Sequence, residues 1–108
     1  MEGEKRMDLT IDDDLHLRTR SGELLTVNIP DLTCNAFVQN GVVCVDRLWI
    51  NGRPWPQRGG PVDPFEVDLV ARIILAIQLD WADVIKRKWS EQLGQPKEVG
   101  YYRQFTGA

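Results

Sequence analysis

Alternation of apolar and polar positions governs the first half of the chain. Leu9, Ile11, Leu15 and Leu17 share one parity, as do Leu25, Val27 and Ile29 on the next segment. A period of two marks a strand with one buried face. A three-residue loop, Arg20-Ser21-Gly22, sets Leu17 opposite Leu25 and Leu15 opposite Val27, with Gly22 at the left-handed position. A two-residue loop would set Leu17 against Thr26 and lose the apolar match, so the buried face selects the longer loop. The other face, with Asp12, Asp14, His16, Arg18, Thr26 and Asn28, is solvated.

Pro30-Asp31 makes the next turn, and Asn40-Gly41 and Asn51-Gly52 then stand between apolar runs. Asn-Gly suits the two positive φ angles of a type I′ hairpin turn, which predicts strands over 33–39, 42–50 and 53–57. In that register Phe37 faces Cys44, Val38 faces Val43, Cys34 faces Arg47, Trp49 faces Pro54 and Leu48 faces Trp55. Cys34 and Cys44 are then not neighbours, and no disulfide is expected. Pro54 and Pro56 fall where a backbone N–H would point away from the sheet, so this strand is a closed edge. One face of the meander carries Cys34, Ala36, Val38, Val43, Val45 and Trp49. The other carries Phe37, Val42, Cys44, Leu48, Ile50 and Trp55 and is nearly as apolar.

The pattern changes to helical spacing at Asp63-Pro64-Phe65-Glu66, a capping residue followed by proline at the first helical position. Val67, Val70, Ile74, Ile77, Trp81 and Ile85 form the apolar stripe, and Gly94 and Pro96 end it. A helix of about 30 residues would span roughly 45 Å, whereas five strands span only about 20–24 Å. The helix is therefore expected to break near Asp80, which could cap a second helix starting at Trp81, or else to project beyond the sheet.

These elements predict an α+β fold: a five-stranded antiparallel meander, open or curled into a half-barrel, followed by a long or broken C-terminal helix packed across one face. The 108 residues fit a single domain with a flexible lead-in (1–7), a strand-to-helix linker (58–62) and a tail (95–108). A formal net charge of -3 argues against electrostatically driven nucleic-acid binding. The opening residues are charged and no apolar run reaches membrane-spanning length, so the expected compartment is cytoplasmic, without a membrane partner.

Candidate chemistry changes this picture little. Asp12, Asp14 and His16 could share a strand face as a weak metal site, but no glycine-bearing calcium loop follows, and a solvated acidic strand accounts for them better. His16 is the single histidine, and no serine or cysteine stands in a nucleophile context. No catalytic residue, metal or cofactor is expected. Lys86, Arg87 and Lys88 beside Trp89, with Tyr101, Tyr102 and Phe105 beyond, could stack single-stranded bases, though a solvated helix end in an acidic chain explains them as well.

The leading expectation is a non-catalytic protein-interaction or assembly module. It would act as a homodimer, or by docking a protein partner, on Phe37, Val42, Cys44, Leu48 and Trp55, with Trp81 and Trp89 on a second contact element. The alternative is a small-ligand-binding or enzymatic domain with a pocket between curved sheet and helix. Single-stranded nucleic-acid binding by the basic C-terminal region ranks below both.

Overall fold

The computed structural model describes residues 6–56 and 59–93. Six strands precede two helices: β1 (Met7–Ile11), β2 (Leu15–Arg18), β3 (Leu24–Val27), β4 (Leu32–Gln39), β5 (Val42–Ile50), β6 (Arg53–Trp55), α1 (Pro64–Asp80) and α2 (Ala82–Leu93). The α+β class stands, with antiparallel strands first and both helices packed across them.

The five-strand meander needs correction. β4, β5 and β6 form a meander, but the first segment splits at Asp12–Asp14. β1 pairs with β4, giving a four-stranded sheet in the order β1-β4-β5-β6, while β2 and β3 form a separate ribbon. Leu9, Ile11, Leu15 and Leu17 are all buried, so the alternation was sound although it belongs to two strands. Asp12–Asp14 therefore occupy a bend rather than a strand face. Asp14 accepts a hydrogen bond from the Asn28 side chain at 3.1 Å. Met7, assigned by its charged neighbours to the lead-in, opens β1 and is buried.

The three predicted hairpin turns form, and Pro30-Asp31 also makes a turn. Leu15 pairs with Val27 and Leu17 with Leu25, with Gly22 at φ 91°. Asn40 and Gly41, then Asn51 and Gly52, adopt the paired positive φ angles of the tight hairpin turn. The register fails at one point. Asn35 pairs with Arg47 but Ala36 with Val45, so Asp46 has no partner on β4. This bulge shifts the parity of the rest of β5. Cys34 faces Leu48 instead of Arg47, and the core face continues from Val45 to Leu48 and Ile50 rather than to Trp49.

Asp63 caps α1, accepting from the Phe65 N–H at 3.0 Å. The helix breaks where length required, but Trp81 rather than Asp80 is the junction. The Trp81 N–H donates to Ile77 O at 2.9 Å and Ile85 N–H to Trp81 O at 2.8 Å, so Trp81 closes α1 as its C-cap and also accepts the first bond of α2. α1 packs on β5 and alongside β2, and α2 packs on β4 and β5. Val70, Ile73, Ala76, Ile77, Ile85 and Trp89 fill the core from the helices, a face turned from the predicted stripe toward Ile73 and Ala76. α1 is apolar on nearly every side, which leaves periodicity little to choose with.

Candidate interaction surface

α1 is wedged between two strand edges, and its few polar side chains plug both. β6 pairs only with the end of β5, so Val45 N–H points into a gap that Gln78 Oε1 fills at 3.0 Å. On the opposite flank lies β2. Thr19 N–H donates to Glu23 O at 2.8 Å, and bonded pairs alternate along an antiparallel ladder. Leu17–Leu25 and Leu15–Val27 are thus the next bonded pairs, and His16 and Arg18 turn their backbone groups outward toward α1. Asp80 accepts the His16 N–H at 2.9 Å, with His16 Nδ1 3.1 Å from the same oxygen. Arg72 Nη1 donates to Arg18 O at 2.6 Å while its Nε holds Asp68 at 2.8 Å.

Between ribbon and helix runs a cleft of about 610 Å³. Leu24, Leu75, Ala76 and Leu79 give it apolar walls, and His16, Arg18, Arg20, Arg72 and Asp80 supply the polar lining. Leu24, Leu75 and Leu79 are more than half exposed. Hydrogen bonding from Arg72, with the charges of Arg72 and Arg20, holds the Asp68 carboxyl below its ordinary range.

The same alternation leaves the far side of the ribbon bare. Leu24 and Thr26 direct their N–H and C=O groups away from β2, and no described element packs against that edge of β3. The side chains there are apolar, with Leu24 58% and Leu25 50% exposed. The other sheet edges are blunted. Pro54 pairs with Trp49 at a non-bonded site of β6, and β1 exposes Asp8 and Thr10. β3 is the one apolar strand edge without such protection among the described residues.

The residues singled out by sequence do not converge. Leu48 is 1% exposed and Trp89 8% exposed, both inside the core. The bulge carried Leu48 there, and the bend at Trp81 folded Trp89 back onto the sheet. Trp55, opposite Leu48, and Trp81 are half-buried against the same core. Phe37 does lie on the outer sheet face, but the Arg6 guanidinium covers its ring at 4.7 Å and is fixed by Asp46 at 2.8 Å. Cys44 beside it is half-buried, and only Val42 stands exposed. Among the described residues these side chains form no continuous second apolar face. The signals that point to the ribbon are Leu24, which breaks the alternation of its strand, and Leu75 and Leu79, one turn apart outside the stripe.

Among the described residues no three His, Cys, Asp or Glu side chains are grouped to hold a metal. Burial, with the charges of Asp46 and Asp8, pushes the Cys34 thiol up to about 12, which makes it a packing side chain at neutral pH. Lys86, Arg87 and Lys88 are exposed on α2, whereas Trp89 faces inward, so the basic run loses its adjacent stacking platform. Tyr101, Tyr102, Phe105 and the tail lie outside the described residues. No described helix is long and apolar enough to cross a membrane. Comparison with protein-family models, curated proteins and solved structures finds no match.

Proposed function

We propose that this chain is a non-catalytic protein-interaction or assembly module whose contact surface is the β2–β3 ribbon and the adjoining flank of α1. The observation that carries this reading is the unprotected edge of β3. Outward backbone groups flanked by exposed leucines form a template for another strand, an arrangement that proteins normally blunt. Main-chain hydrogen bonds would supply the affinity and the side chains the selectivity. Leu75 and Leu79 extend the apolar area across the cleft. The compartment that suits it is the cytoplasm, since its thiols are unpaired.

The test pairs solution mass with capture. Leu24→Asp combined with Leu79→Asp alters exposed side chains, so the circular dichroism spectrum and melting should hold. Wild-type protein should form a species heavier than the monomer, with itself or with a second chain retained on immobilised protein, and the double variant should lose it. Equal behaviour of the two proteins, with no association by either, would refute the reading.

A second reading has its own observation. The cleft has the size and the apolar-with-few-polar lining of a small-ligand site. Arg18, Arg20 and Arg72 would suit an amphipathic anion with a carboxylate or phosphate head. A fluorescent long-chain carboxylate is the probe. Saturable binding weakened by Arg18→Ala would favour this reading, and absence of binding would remove it.

A further inference from the structure

We propose that the strand completing the β3 edge is β3 of a second copy, joined antiparallel about a two-fold axis at Leu25; the inference rests on the assembly reading above. The backbone fixes the register. Leu24 and Thr26 carry the outward groups of β3, so they must form the bonded pairs across any antiparallel junction. A two-fold axis at Leu25 pairs Leu24 with Thr26 of the second copy and Thr26 with its Leu24. Leu25 then meets Leu25 at a non-bonded position, where side chains approach most closely. Leu25 meets its counterpart on one face, Leu24 packs beside Thr26 of the second copy on the other, and two ribbons become one four-stranded sheet flanked by an α1 on each side.

Charge layout selects a second copy as the occupant. The ribbon is polarised along its length. Its root carries Asp12, Asp13 and Asp14, all exposed, and Asp14 is tied to Asn28 at the end of β3. Its tip carries Arg18 and Arg20, from which Glu23 subtracts one charge. Antiparallel pairing sets Asn28 of one copy opposite Gly22 of the other, which brings each acidic root beside the other copy's basic tip. By strand spacing, the root of one ribbon and the tip of the other stand about 14 Å apart, so the attraction acts at low ionic strength, where the Debye length reaches about 30 Å at 0.01 M. Both ends of the junction therefore attract, and the attraction repeats by symmetry. Arg20 is free to turn, being held only by a 3.9 Å contact to Asp68.

Cross-linking tests the register. In a Cys44→Ser background, with Cys34 buried, Leu25→Cys places thiols across the axis at a separation a disulfide spans. Mild oxidation should give covalent dimer roughly ten-fold faster than Leu24→Cys, whose thiols sit two residues out of register. Adding Thr26→Pro to Leu25→Cys should abolish the cross-link while leaving the spectrum of the fold unchanged, because the lost N–H points away from β2. Equal rates at the two cysteine positions, or a cross-link indifferent to Thr26→Pro, would overturn the pairing. A monomer that binds a different chain in a Thr26→Pro-sensitive manner would overturn self-pairing and leave the assembly reading standing. Absence of any association would remove both.

Discussion

Asp80 sits in the last turn of α1, where a negative charge opposes the helix dipole and helix-local rules favour its removal. The tertiary contact argues the opposite. Its carboxylate accepts the outward N–H of His16 and so ties the ribbon to the helix. A hydrogen bond to a charged acceptor contributes about 1.5–3 kcal/mol, which exceeds the dipole term of about 0.3–1 kcal/mol. Asp80→Ala should therefore destabilise by about 1–2 kcal/mol in urea unfolding, and a gain in stability would show that the contact contributes nothing. Cys34 gives a pH signature. Burial pushes its thiol up to about 12 from the ordinary value of 9.0, so above pH 9 the unfolded chain binds fewer protons than the native one. Its contribution is whole below about pH 9 and is lost as pH rises toward 12. Cys34→Ala should lower stability at neutral pH yet show a shallower alkaline decline than wild type; parallel declines would refute this assignment. Neither contact could be read from sequence, since both join residues far apart in the chain.

At the scale of elements, local chemistry was legible and long-range placement was not. The Arg20-Ser21-Gly22 loop, both Asn-Gly turns and the Asp63-Pro64 helix start could be read because each depends on residues within one turn of itself. The bulge at Asp46 could not, because one unpaired residue leaves no composition signal while reversing every later face of β5. That reversal moved Leu48 from a candidate contact into the core and dissolved the second apolar face. Helix length correctly demanded a break, yet it did not say where the second segment would fold. Trp89 returns to the sheet and is buried there. Trp89→Ala should cost about 3–5 kcal/mol of folding stability. A variant of native stability that merely associates less would restore the interface role expected from sequence. The ribbon surface left only faint marks, such as Leu24 out of phase with Leu25 and Val27.

At the scale of the molecule, α1 holds two strand systems apart and plugs the edge each turns toward it, while no described element covers the outer edge of β3. A chain with formal charge -3 would repel its copies at random orientations. The polarised ribbon makes one orientation attractive, so association should weaken as salt is raised from low to physiological ionic strength. Dimer fractions from light scattering that do not change with salt would contradict that electrostatic part. The most direct test of the edge itself is amide hydrogen exchange resolved along β3 at low and high protein concentration. Leu25 and Val27 N–H groups bond to β2 and should be protected at both. Leu24 and Thr26 N–H groups should exchange freely in dilute protein and become protected when it is concentrated. Rapid exchange of Leu24 and Thr26 at every concentration would mean that the edge stays open and that self-pairing does not occur.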